Sequence, residues 1–177
     1  LQVAYELKLT REPDAADEEE SLVWSSGKID SGQSVNVEYA GPPLDALRRY
    51  RWTVRTWDNH GNRSAESEPR HFETTFLGDS DWQGRWIGDS RQPPSSDEER
   101  YGEIPNPLFR KEFAVRKPVA RARLYICGLG YYEAELNGEK VGDHVLDPGW
   151  TNYGKRSLYS AYDVSEQLKN GANVLGV

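Results

Sequence analysis

The chain has 177 residues, enough for one ordinary domain or two small ones. Its apolar fraction of 36% and charged fraction of 29% suit a globular protein and exclude a disordered one. A formal charge of −7, with no apolar run long enough to cross a bilayer, argues against nucleic acid and membranes as partners.

Six Trp, ten Tyr, ten Pro and sixteen Gly, with no Met, point to β structure, where aromatic side chains pack on pleated faces. The N-terminal stretch Leu1 to Thr10 alternates, with Val3, Tyr5, Leu7 and Leu9 on one face of a strand. The acidic run Asp14 to Glu20 reads as a solvated loop. Leu22 to Asp30 gives a short strand that ends in turn residues, and Trp24 within it is expected to be a buried indole. Gln33 to Gly41 alternates again, with Val35, Val37 and Tyr39 on one side. Tyr50, Trp52, Val54 and Thr56 then alternate with Arg49, Arg51, Thr53 and Arg55, a half-buried strand with a basic outside. Asp58 to Asn62 is a turn cluster, and Arg70 to Phe76 is one more short strand. Strands at this spacing predict a β-sandwich over residues 1–76.

The pattern Leu47-x-x-Tyr50-x-Trp52-x-Val54-x-Thr56-x-Asp58-x-x-Gly61 resembles the penultimate strand of fibronectin type III domains. That resemblance implies a tyrosine corner formed by Leu47 and Tyr50, with the phenol tied back to the backbone. Trp57 falls on the opposite face, as an exposed contact for a neighbouring domain.

Residues 77–107 read as a connector: an apolar island of Trp82, Trp86 and Ile87, then a surface excursion over 89–107. Strand patterns resume over 108–115 and 120–127, and Tyr132, Ala134 and Leu136 share one face of the next strand. Asn137-Gly138 is a hairpin signal. A strand running to Tyr162 follows. Asp163 or Ser165 then caps a single turn that closes at Gly171, and a last strand starts at Asn173. No internal repeat is present. The chain opens and stops inside strand patterns, so a longer parent is expected. The one cysteine, Cys127, excludes an intrachain disulfide and reads as a small buried apolar residue.

Three kinds of chemistry compete for the stretch from Gly128 to Arg156. Gly128-Leu129-Gly130 lacks a third glycine and leads into a strand, so it is no phosphate loop. Glu133 and Glu135 share a strand face about 7 Å apart, a spacing nominally suited to glycoside hydrolysis. Their face, however, is the polar one that a sandwich turns to solvent. His60, His71 and His144 have no zinc-like spacing, and no Ser-His-Asp or Cys-His arrangement stands out. There remains the Gly- and Pro-punctuated loop carrying Asp143, His144, Asp147, Trp150, Asn152, Tyr153, Lys155 and Arg156. Sugars are held by polar groups around an aromatic ring, and this loop has both. Asp143, Asp147, Trp150, Asn152, Tyr153 and Arg156 are therefore the candidate carbohydrate-binding residues. The competing reading makes Trp150 a plug for the sandwich end and Asp147 a cap before Pro148. Asp143 and Asp147 could also start a calcium cage with backbone carbonyls, although no EF-hand loop is present.

Residues 81–88, 107–113 and 122–177 closely resemble the N-terminal region of bacterial α-L-rhamnosidases, glycoside hydrolase family 78. The string Gly128-Leu129-Gly130-Tyr131-Tyr132-Glu133, Asn137-Gly138, Val141-Gly142-Asp143 and Leu146-Asp147-Pro148-Gly149-Trp150-Thr151 carries the match. The implied fold is all-β: a fibronectin-III-like β-sandwich over 1–76, the connector 77–107, and a truncated jelly-roll β-sandwich over 108–177. In that family, inverting cleavage of terminal α-L-rhamnose takes place in a later (α/α)6 barrel. The resemblance thus implies a non-catalytic region that braces the barrel and contacts rhamnose-containing carbohydrate. Some members bind rhamnose through calcium in the corresponding sandwich. The alternatives kept open are a purely structural sandwich pair without ligand, and an enzyme acting through Glu133 and Glu135. Cys127 and the sequon at Asn62 do not decide the compartment; intracellular members tilt the expectation slightly to the cytoplasm.

Overall fold

The computed structural model describes residues 1–14, 18–92, 94–103 and 105–177. Part of the acidic run, residues 15–17, and two connector positions, 93 and 104, lie outside the described residues. The described chain is almost entirely β and divides into two compact units, Leu1–Trp86 and Ile87–Val177.

In the first unit, β1 (Gln2–Arg11), β2 (Ser21–Ser25), β3 (Ile29–Asp30), β4 (Arg49–Asp58) and β5 (Arg70–Glu73) form one antiparallel sheet. Its order is β2-β1-β4-β5, with β3 also on β1. The register sets Tyr5 against Thr56, Leu7 against Val54, Leu9 against Trp52 and Arg11 against Tyr50, so the two alternating patterns share one face. Val3 leaves that pattern. Gln2 pairs with Asp58 but Ala4 with Trp57, so Val3 is the extra residue of a β-bulge and is exposed. On the outer face, Glu66 takes Arg55 at 2.6 Å and Lys8 at 3.9 Å. Trp57 lies on this side too, with the Lys28 ammonium 5.4 Å from its ring centre.

The tyrosine corner is present. Tyr50 is 1% exposed, stacks on Phe72 at 5.5 Å, and its hydroxyl accepts the Asp45 backbone N–H at 2.9 Å. Leu47 stands half exposed with φ 57°. Tyr50→Phe should therefore leave a part-buried N–H without its acceptor. The expected loss is about 1–2 kcal/mol by urea unfolding, and an unchanged midpoint would contradict the corner's role.

Two expectations change. Residues 33–41 form no strand, because Asn36 adopts φ 53° and the Gln33 side chain donates to the carbonyls of Val35 and Asn36 at 3.0 and 2.9 Å. This segment covers the sheet only in part, leaving an apolar cleft of about 600 Å³ between them. Trp24 borders that cleft. It is half-buried rather than fully buried, edge-on to Tyr39 at 5.0 Å. The described part of the acidic run is exposed, as expected, with Asp14 paired at the surface to Arg11 and Arg48 at 3.2 and 3.0 Å and Glu20 to Arg51.

The second unit begins with the excursion, which contains one short helix, α1 (Asp97–Tyr101), capped by the Ser96 hydroxyl accepting from the Glu99 N–H. Ser96-x-x-Glu99 is a capping-box spacing and was readable as such. Then come β6 (Arg110–Val115), β7 (Arg123–Ile126), β8 (Glu135–Leu136), β9 (Glu139–Lys140), β10 (Ser160–Asp163) and β11 (Gly171–Gly176). They make a four-stranded antiparallel sheet, β6-β11-β8-β9, and a two-stranded one, β10-β7. The core of this unit draws on both sheets: Ala134, Leu136, Val141, Tyr162 and Val164, with Ala122, Leu124, Ile126, Leu168 and Leu175 against them. Asn137-Gly138 makes the β8–β9 turn, both with positive φ (57° and 84°). The Asp163 carboxylate accepts from the Ser165 N–H and hydroxyl, starting the turn that closes at Gly171.

Candidate functional site

The loop from Asp143 to Arg156 joins β9 to β10, and its shape is set by one carboxylate. Asp147 turns inward beneath β10. Its Oδ2 accepts from the hydroxyls of Ser160 and Tyr162, from Tyr132 at 3.4 Å, and meets His144 Nδ1 at 3.2 Å. Burial alone would raise this carboxyl; the hydrogen bonds from Ser160, Tyr162 and His144 outweigh it and hold it at about 2. Burial, aided by the neighbouring Asp147 charge, pushes both Tyr132 and Tyr162 upward. These phenols therefore stay protonated and remain donors at neutral pH.

A backbone bridge adds to this clamp: the Tyr132 N–H donates to the Asp147 carbonyl at 3.1 Å. Leu146, just before it, takes φ 56°, a left-handed conformation costly for a branched side chain. Pro148 is fully buried behind a cis peptide bond.

The clamp has an outward consequence. Adjacent residues of an extended segment face opposite sides, so with Tyr132 turned into the core Tyr131 points out. Trp150 follows the clamped Asp147-Pro148 pair and also points out. Their rings stack at 5.8 Å between centroids and 20° between planes, with Trp150 74% and Tyr131 52% exposed. Trp150 is thus a surface residue and not a plug in the core of this unit.

The other candidates divide. Asn152 serves its own turn: its carbonyl accepts from Lys155 and Arg156, and its Oδ1 accepts from the Gly154 N–H at 3.1 Å. Tyr153 is at the tip of that turn, and Asp143 and Arg156 are exposed. Among the described residues no group of three or more His, Cys, Asp or Glu lies together to hold a metal ion. The hydroxyls of Ser160 and Tyr162 already take up Asp147 Oδ2 as donors. Glu133 and Glu135 are exposed, with Lys140 3.3 Å from Glu133 and opposite Glu135 in register. Tyr131 is not among the sequence candidates; the signal for it is period two, which puts it on the same outward face as Glu133 and Glu135.

Both units contain a stretch that matches a known domain family. Residues 1–78 match the family described as Rha78A-like, N-terminal immunoglobulin domain, and residues 117–177 match the Alpha-L-rhamnosidase N-terminal domain. An alpha-L-rhamnosidase of Formosa agariphila is 40% identical over 190 residues, covering 99% of this chain and 20% of that protein. One from Alteromonas sp. (strain LOR) is 32% identical over 177 residues, covering 99% and 19%. Among solved structures, the alpha-L-rhamnosidase from Dictyoglumus thermophilum aligns with TM-score 0.81 at 35% identity, over 99% of this chain and 20% of that one. The enzyme from Aspergillus terreus aligns with TM-score 0.77 at 34% identity, over 99% and 19%. The chain spans about a fifth of the length of the relatives it matches.

Proposed function

Because this chain belongs to the N-terminal domain families of α-L-rhamnosidases, we propose that it is the accessory region of an enzyme that hydrolyses terminal α-L-rhamnose. In this reading, catalysis belongs to another part of the parent chain, and this region supports it while offering a surface to rhamnosyl carbohydrate. The carrying observation is the exposed Tyr131–Trp150 stack on a pinned loop. Indole and phenol faces pack against the C–H face of a sugar, and a rigid pair loses little entropy on doing so. L-Rhamnose has a methyl group where most hexoses have a hydroxymethyl, which adds apolar surface for such a platform.

One observation favours a second use of the same surface. Val145 and Leu146 on the loop, and Leu158 against Gly149, are exposed aliphatic side chains. A patch of this kind also suits packing against another domain of the parent enzyme.

Trp150→Ala separates the two. If the surface takes sugar, the tryptophan fluorescence response to L-rhamnose should weaken by about tenfold or vanish, while the thermal midpoint moves little. A Trp150→Ala chain that responds to rhamnose like the original, or an original that does not respond at all, would refute the sugar reading and favour packing.

A further inference from the structure

Resting on the sugar-platform reading, we propose that Asp147 is the positioning residue of that platform, holding Tyr131 and Trp150 in their stack without itself touching sugar. Sequence reasoning grouped Asp147 with the sugar contacts; the geometry gives it a different task.

Three observations converge on this assignment. The first is direction. Oδ2 is the meeting point of Ser160, Tyr162, Tyr132 and His144; Tyr162 belongs to the core of the unit, Tyr132 packs against it, and Ser160 lies on β10 beside them. A carboxylate so engaged has its strong hydrogen bonds inside the protein. The second is connectivity. Tyr132 is bonded to Asp147 twice, through its hydroxyl and through its backbone N–H at 3.1 Å, and Tyr131 is the next residue. Trp150 lies three residues on, past the fully buried Pro148. Asp147 therefore ties down, through its carboxylate and its backbone carbonyl together, the two segments from which both rings project. The third is the neighbourhood. The Gly142 backbone lies against the Tyr162 ring, so the phenol that donates to Asp147 is itself held in place. The stack depends on ring planes within 20° of parallel, and small rotations of either segment would spoil it.

Loss of the carboxylate charge should therefore act on the stack and leave the rest of the unit in place. Asp147→Asn keeps the volume but replaces an acceptor that serves four donors with an amide that serves fewer. Measured without any sugar, the near-UV circular dichroism that Trp150→Phe removes from the original chain should also be missing from Asp147→Asn. Far-UV dichroism and a cooperative thermal transition should persist. In rhamnose titrations, Asp147→Asn should bind about tenfold more weakly or worse, as expected when a preformed contact loses its order.

Ser160→Ala and Tyr132→Phe each remove one donor with little change in volume, and each should lose part of the Trp150 band. They decide the matter if Asp147→Asn does not fold. A folded Asp147→Asn with the band and affinity of the original chain overturns the proposal, as does an unchanged band in both donor variants. A band lost in Asp147→Asn, from a chain that shows no rhamnose response, upholds the positioning role and refutes the sugar reading.

Discussion

Replacing Asn173 with alanine is expected to lower the stability of the second unit by about 3–4 kcal/mol. Asn173 is 1% exposed and uses its whole hydrogen-bonding capacity. Its Nδ2 donates to the carbonyls of Lys169 and Gly171 at 2.7 and 3.0 Å, and its Oδ1 accepts from the Lys169 N–H and Asn137 Nδ2, both at 2.9 Å. Asn137 continues the network: Nδ2 donates to the Gln167 carbonyl, Oδ1 accepts from the Val174 N–H, and its own N–H donates to the Val174 carbonyl. Two asparagines thus join the β8–β9 turn, the 164–170 turn and β11. Alanine would leave several part-buried groups without partners, and each stranded group costs more than an average hydrogen bond contributes. Urea unfolding followed by circular dichroism measures the loss. A change below about 1 kcal/mol would show that water or local rearrangement replaces the network.

Gly142→Ala is the second large effect, at about 3 kcal/mol or more from two additive causes. Gly142 has φ +69°, where a Cβ is strained. A Cβ built there would lie 2.6 Å from Cδ1 and Cε1 of Tyr162. Tyr162 is buried and its hydroxyl donates to Asp147, so the ring cannot swing aside without loosening the clamp. The substitution should therefore lower the unfolding midpoint and the rhamnose response together. Gly138→Ala is the matched control, because φ is +84° but the space beside it is open. That variant should lose only about 1 kcal/mol, the backbone contribution alone. Equal losses in the two would mean that contact with Tyr162 contributes nothing.

These two residues also show what a sequence makes legible. The Asn137-Gly138 turn, the tyrosine corner at Tyr50 and the inward face of Tyr132, Ala134 and Leu136 rest on local rules of period and turn chemistry, and each is found in place. The strand expected at 33–41 failed for a local reason too. Asn36 is a residue type that tolerates left-handed φ, and the Gln33 amide captured carbonyls that a neighbouring strand would have used. The ion pairs of Asp14 and Glu20 are not legible in the run itself, because their partners Arg48 and Arg51 lie far along the chain. The same limit applies to the site. That Tyr131 faces outward follows from period two. That Asp147 faces inward depends on Ser160 and Tyr162 of β10, and no spacing within the loop encodes it.

Calorimetric titration of L-rhamnose into this chain, with and without added calcium, tests most directly the proposal that its aromatic surface contacts rhamnosyl carbohydrate. The expected result is a saturable heat at millimolar sugar that needs no calcium and is absent in Trp150→Ala. No heat from a folded sample at those concentrations would contradict it, and so would a heat that Trp150→Ala leaves intact.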